Sequence, residues 1–172
     1  MRWLRYAVDG QERVGYLRGA SVQPVAATSL QAVIAGEGRE DDGPAVPRAG
    51  VRPLAPLRPG KIICVGLNYM DHCREQKIDP PDRPTLFAKF PTSVIGAGDL
   101  VRWPADFSTQ VDYEAELAVV IGRRTQRVTD AEALGCVFGY TAANDVTARD
   151  VQKADKQWIR GKAADTFCPL VR

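Results

Sequence analysis

Between Val111 and Ile121 the chain reads Val-Asp-Tyr-Glu-Ala-Glu-Leu-Ala-Val-Val-Ile, and no other stretch restricts the fold as tightly. Its apolar and β-branched content predicts a strand, the longest in the chain. Side chains alternate across a strand. Tyr113, Ala115, Leu117, Val119 and Ile121 therefore share one face and are expected to point into a core. The other face begins Asp112, Glu114, Glu116 and continues as Ala118 and Val120, so its acidic end runs into covered apolar surface. Two carboxylates held there repel each other, and burying them unpaired is expensive. A divalent cation between Glu114 and Glu116 removes that expense. All-oxygen donors select Mg2+ or Mn2+, with Ca2+ also admitted, over Zn2+. A bare Glu-x-Glu is more often the solvated face of an edge strand, and Asp112 is read as structural or solvent-facing.

Further along, the apolar stretch from Gly139 ends in Asn144-Asp145. Asp145 stands where a strand end would supply a third carboxylate, although a lone Asp there is commonly a cap or turn residue. Thr147 reads as the start of one helical turn, and Arg149 and Asp150 are expected to pair with each other. Lys162 follows Gly161 among small residues. It could neutralise the excess carboxylate charge or grip an anionic substrate, whereas a lone lysine is normally a surface residue. The only histidine, His72, lies in Asn68-Tyr69-Met70-Asp71-His72-Cys73-Arg74-Glu75. On a helix His72 and Glu75 share a face. A carboxylate beside an imidazole fixes its tautomer and raises its basicity, which suits a general base acting on water. A surface His–Glu pair has the same spacing. Cys73 is turned about 100° from His72 around a helix, so no Cys–His nucleophile is read.

The rest of the chain sets the frame. Residues 1–57 read as a small N-terminal β-rich domain and linker, with strands Trp3–Val8 and Arg13–Leu17 about an Asp9-Gly10 turn and a Ser29-capped helix to Ile34. Gly36 to Pro47 is polar and punctuated, hence a loop, and the proline-rich Pro53–Pro59 leads to a boundary near residue 58. From 58 to 172 we expect strands at Lys61–Gly66, Leu86–Phe90 and Cys136–Val146, a short helix at Met70–Gln76 and a capped turn at Thr129–Leu134. The fold class is mainly β with short peripheral helices (α+β). With 45% apolar and 26% charged residues a packed core is available. The net charge of +2 is too balanced, and the basic residues too dispersed, for nucleic-acid binding. The four cysteines make no C-x-x-C pair, and neither an apolar leader nor a membrane-length apolar run is seen. Reduced thiols in a soluble, cytoplasmic protein are expected.

Taken together, several blocks resemble the fumarylacetoacetate hydrolase family: Ile62-Ile63-Cys64-Val65-Gly66-Leu67-Asn68-Tyr69 with Asp71-His72 and Glu75; Leu86-Phe87-Ala88-Lys89; Asp112 to Leu117; Gly139-Tyr140-Thr141 with Asn144 to Asp150; and Gly161-Lys162 with Asp165-Thr166. The resemblance covers residues 61 to about 170. It implies a mixed β-sandwich or roll, and hydrolysis or decarboxylation of β-diketo or oxaloacetate-like acids, or isomerisation of unsaturated hydroxy dioic acids. It implies Mg2+ or Mn2+ on Glu114, Glu116 and Asp145, catalytic roles for Lys162, His72 and Glu75, and a substrate contact at Gln152. The implied partners are a small keto-acid substrate and a second copy in a homodimer, with no nucleic acid and no membrane.

Three positions depart from the family pattern. Leu67 stands where some members have Arg, Phe90 where a proline is common, and the end Pro169-Leu170-Val171-Arg172 where members read Pro-Leu-Gly-Pro and continue. Deleting one G from codons for Leu-Gly-Pro yields Leu-Val-Arg. The chain is thus expected to be a frameshifted or prematurely ended form, with its C-terminal part missing. The leading expectation is a metal-dependent C–C hydrolase or decarboxylase of 2-keto acids. An isomerase, an inactive metal-binding fragment and a non-enzymatic interaction domain are the alternatives.

Overall fold

A computed structural model describes residues 1–40 and 43–171. Asp41 and Asp42 of the expected loop, and the terminal Arg172, lie outside the described residues.

Strands β1 (Trp3–Val8) and β2 (Gln11–Arg18) form an antiparallel hairpin. Its turn residues Asp9 and Gly10 take φ of 50° and 75°, the left-handed pair that matches strand twist in a two-residue turn. β3 (Ser21–Ala26) returns against β2. Helix α1 (Leu30–Ile34) follows, its N-terminus capped by Ser29 Oγ accepting from Ala32 N–H at 3.1 Å. The expected loop contains two short strands, β4 (Arg39–Glu40) and β5 (Val46–Pro47), both paired to β3, and β6 (Arg52–Pro53) pairs with β1. Leu4, Tyr6 and Val22 are the buried centre of this sheet, with Val8, Leu17 and Val51 packed around them.

The remaining elements surround the acidic strand. In chain order they are β7 (Ile62–Gly66), α2 (Met70–Gln76), β8 (Thr85–Lys89), β9 (Val94–Ile95), β10 (Val111–Asp112), β11 (Ala115–Ile121), α3 (Asp130–Ala133), β12 (Val137–Asn144), β13 (Thr147–Ala148), α4 (Arg149–Ala154), α5 (Ile159–Lys162) and β14 (Cys168–Val171). β7 and β8 are an antiparallel pair, and β10 pairs with β13. A second sheet runs β11-β12-β14-β9, antiparallel except for the parallel β14–β9 contact. Val146, Ala148 and Phe167 form a separate buried apolar cluster beside β13, flanked by Phe107 and Val111. The mainly β architecture with short peripheral helices is therefore observed.

Three local expectations are corrected. The run from Val111 to Ile121 is not one strand: it breaks at Tyr113-Glu114 and its halves join different partners, β13 and β12. The break is held by side chains, since Asp112 Oδ1 accepts from Tyr113 N–H and Asn144 Oδ1 from Glu114 N–H. Thr147 lies in strand β13, and helix begins only at Arg149.

The third correction concerns the two faces of β11. Tyr113, Leu117, Val119 and Ile121 are 75%, 62%, 49% and 56% exposed, whereas Glu114, Glu116, Ala118 and Val120 are half-buried. Tyr140, opposite Val119, is also exposed, so nothing among the described residues covers that apolar face. On the inward face Glu114 meets the Lys162 ammonium. All four cysteines are free thiols, and no helix among the described residues is long and apolar enough to cross a membrane.

Candidate metal centre

The break in the acidic strand and the end of β12 meet at the site. Asp145 N–H donates to Glu114 O at 2.9 Å, which fixes the two acidic residues side by side. Glu116, two residues on along β11, pairs with Ala143 of β12. Glu114, Glu116 and Asp145 each offer an oxygen within 4.8 Å of the others. The structure thus brings the three carboxylates together.

Lys162, at the end of α5, is 2% exposed. Its Nζ donates to Glu114 Oε2 at 2.9 Å, Asp145 Oδ2 at 2.7 Å and Thr147 Oγ1 at 2.9 Å, and it lies 4.9 Å from the Phe87 ring centroid. All three of its donors are used. Trp158 packs edge-on against Phe87 at 5.6 Å, in space left by Gly66, where a Cβ would meet the indole at 2.6 Å.

Lys89 has a role that sequence reasoning missed. It is 3% exposed, and its Nζ donates to the carbonyls of Val146 at 3.1 Å, Phe167 at 2.8 Å and Lys162. It also stands 2.7 Å from Asp145 Oδ1, near enough for an ion pair but not aligned as a hydrogen bond. A lysine closing the apolar strand Leu86-Phe87-Ala88 was the available signal. Asp145 Oδ1 is consequently a buried acceptor without a hydrogen-bond donor among the described residues.

Arg149 was expected to pair with Asp150, and does not. Its guanidinium bonds Asp112 Oδ2 at 2.9 Å and Glu114 Oε1 at 2.5 Å, and reaches Gln152 Oε1 at 3.3 Å. Asp150 instead accepts from Ser108 Oγ and Thr109 N–H. The long, planar fork reaches two acids across the strand break, which a neighbour in sequence could not satisfy as well. Gln152 thereby sits beside Glu114's partner. On α2, His72 Nδ1 lies 3.9 Å from Glu75 Oε2, and the Glu75 side chain is 76% exposed. These two share a helix face as expected, at a separation too long for a hydrogen bond.

The carboxylates differ electrostatically. Burial pushes Glu114 up, but Lys162 and Arg149 outweigh it and hold the group below the usual carboxylate range. Glu116 is pushed up by burial and by the Asp145 and Glu114 charges, against the opposing hydrogen bond from Tyr69 and the charge of Lys162. No Lys or Arg lies in ion-pair range of Glu116 among the described residues. Burial pushes Cys64 up to about 12, aided by Asp145, and Cys168 up to about 11, so neither supplies a thiolate near neutral pH. A Glu116 without a lysine or arginine partner and an all-oxygen donor set fit a hard divalent cation.

Known proteins resemble the chain in both of its parts. Residues 61–171 match the family described as fumarylacetoacetate (FAA) hydrolase C-terminal, and residues 1–56 that described as Rv2993c-like, N-terminal. The chain is 48% identical over 130 residues to the human mitochondrial oxaloacetate tautomerase FAHD2A, covering 74% of this chain and 41% of the relative. Among solved structures it is similar to a fumarylacetoacetate hydrolase from Exiguobacterium antarcticum, at TM-score 0.84 and 40% identity, covering 98% of this chain and 64% of that one. A 2-hydroxyhepta-2,4-diene-1,7-dioate isomerase from Mycobacterium marinum gives TM-score 0.84 and 36% identity, covering 99% and 64%.

Proposed function

The chain belongs to the fumarylacetoacetate hydrolase family, and on that premise we propose that it is a metal-dependent enzyme that moves a proton at the carbon beside the keto group of a short 2-oxo acid. It spans 41% of the length of the human relative. The observation that carries the reading is the buried Lys162 ammonium lodged between Glu114 and Asp145. Glu114, Glu116 and Asp145 would hold Mg2+ or Mn2+, and the bound cation would supply Lewis acidity toward the carboxylate and keto oxygens of the substrate.

The chain's own groups supply the rest. Lys162 offsets the charge of the carboxylates it touches, so an anionic substrate is not repelled, and sets positive charge beside a keto oxygen that becomes negative. Arg149 and Gln152 offer a planar cation and an amide to a second carboxylate. Keto–enol proton transfer is common to tautomerases, isomerases and enzymes that cleave next to a keto group. Oxaloacetate is the substrate of choice for the test, supported by the 48% identity to a tautomerase of that acid.

A second reading, hydrolytic or decarboxylating C–C cleavage, is favoured by the His72–Glu75 pair on α2. There His72 would take a proton from water and Glu75 would hold the imidazole. An assembly of two copies belongs to the same reading, supported by the bare apolar face of β11 and β12, and sedimentation equilibrium tests it.

One experiment separates the reactions. Enol oxaloacetate is supplied with Mn2+, and the enol absorbance and pyruvate are followed together. Loss of enol without pyruvate is the expected result. Pyruvate release, or cleavage of an acylpyruvate that fails in His72→Ala, favours the second reading. Neither change above the metal-only rate defeats both.

A further inference from the structure

An ammonium carries three protons, and that of Lys162 gives them to Glu114 Oε2, Asp145 Oδ2 and Thr147 Oγ1. The first two acceptors belong to the carboxylates that a cation would also draw on. Thr147 does not. It is fully buried, and β13 holds its backbone, where Thr147 pairs with Asp112 and Ala148 with Val111 of β10.

The direction of each bond at this hydroxyl is fixed. Its single proton goes to the Asp145 carbonyl at 2.9 Å, which is nearer than Glu114 Oε1 at 3.5 Å. A carbonyl only accepts and an ammonium only donates. The hydroxyl therefore turns its proton to Asp145 O and a lone pair to Lys162 Nζ. The other end of Lys162 is held separately, because its main-chain carbonyl accepts from Lys89 Nζ.

The geometry points to Thr147 as a positioning residue for Lys162, its hydroxyl seating the ammonium beside Glu114 and Asp145. Without that hydroxyl one buried N–H loses its acceptor, which is costly and drives the side chain to shift. The charge of Lys162 helps a keto oxygen only while it stays in place, so its displacement slows turnover more than it weakens binding. The inference rests on the role of Lys162 in the proposed function. It goes beyond that role, because it assigns the seating of the charge to a neutral residue outside the ligand set.

Two variants separate the hydroxyl from packing. Thr147→Val keeps the branched shape and loses the hydroxyl, whereas Thr147→Ser keeps the hydroxyl and loses a methyl. The first readout is proton exchange of the lysine ammonium groups, followed by NMR on the metal-free full chain with isotope-labelled lysine. The Lys162 signal is recognised by its Overhauser contact with the Phe87 ring, whose centroid lies 4.9 Å from Nζ. Thr147→Val is expected to speed that exchange about tenfold or more, and Thr147→Ser to keep it near the wild-type rate. The second readout is loss of enol oxaloacetate with Mn2+ raised to saturate each variant. There Thr147→Val is expected to lower kcat about tenfold with KM little changed, and Thr147→Ser to restore most of the loss. A threonine that served packing alone would make serine the worse variant in both readouts. If Thr147→Val does not fold, Thr147→Ala takes its place against Thr147→Ser.

A wild type without a protected Lys162 signal overturns the inference, as does equal exchange in wild type and Thr147→Val. Exchange in Thr147→Ser as fast as in Thr147→Val overturns it too, and so does an unchanged kcat in Thr147→Val beside an active wild type. A wild type that converts no oxaloacetate yet shows the expected exchange pattern upholds the seating of Lys162 and overturns only the reaction.

Discussion

The N-terminal sheet closes over Leu4, Tyr6 and Val22, each 3% exposed or less, whereas the carboxylate site closes over Lys89, Asp145 and Lys162 at 2–4%. Apart from Arg5, the first region buries mainly hydrocarbon, and the second buries ions. Apolar packing loses stability in proportion to what is removed. A buried ion cluster behaves differently, because removing one member strands the others without compensation. Each of the two lysines here contacts Asp145, and Lys89 also holds the backbone carbonyl of Lys162. The site is thus interlocked where the sheet is additive.

Lys89→Met is the sharpest test of that contrast. It leaves Asp145 less compensated and three carbonyls without their donor, and is expected to destabilise by about 3–5 kcal/mol, read by urea unfolding. A loss under about 1 kcal/mol, the surface ion-pair level, would break the comparison. In the sheet, Leu4→Ala should lose about 3 kcal/mol by cavity formation. Combined with Lys89→Met it should add simply, since the two sites share no partner. Non-additivity would show the regions to be one cooperative unit.

Mn2+ at a hundred times its Kd should stabilise the folded chain by about 2.7 kcal/mol, visible as a rise in Tm that a chelator reverses and Asp145→Asn abolishes. The smallest effect concerns Glu12, which the Arg5 hydrogen bond holds below the usual carboxylate range, with burial opposing. A carboxyl depressed on folding stabilises above its unfolded pKa, and that help is lost as pH falls through its folded pKa. The difference between wild type and Glu12→Gln should therefore be full at neutral pH and disappear in acid. A difference that grew toward acid pH would contradict the Arg5–Glu12 pair.

Local structure was largely legible in the sequence. The Asp9-Gly10 turn, the Ser29 cap and α2 at Met70–Gln76 follow from residues adjacent in the chain. Alternation and a strand end only suggested the three acids, and the resemblance of the ordered blocks implied them as one ligand set. Which face of β11 lies inward could not be read, since alternation distinguishes two faces without saying which has neighbours. The partners of Arg149 were misread for a related reason: Asp150 is adjacent in sequence, but Asp112 and Glu114 are adjacent in space. Lys89 is the same lesson at longer range, its acceptors lying 57 to 78 residues away.

The glycine at position 66 has an optical consequence. By leaving room for Trp158 against Phe87, whose ring faces the Lys162 ammonium, it sets an indole one ring away from the site's charge. Indole emission responds to nearby fields, so cation binding should register in the intrinsic fluorescence of Trp158 and be silenced by Trp158→Phe. Trp3 and Trp103 pack against Tyr16 and Phe167 instead, and supply the steady background against which that signal is measured.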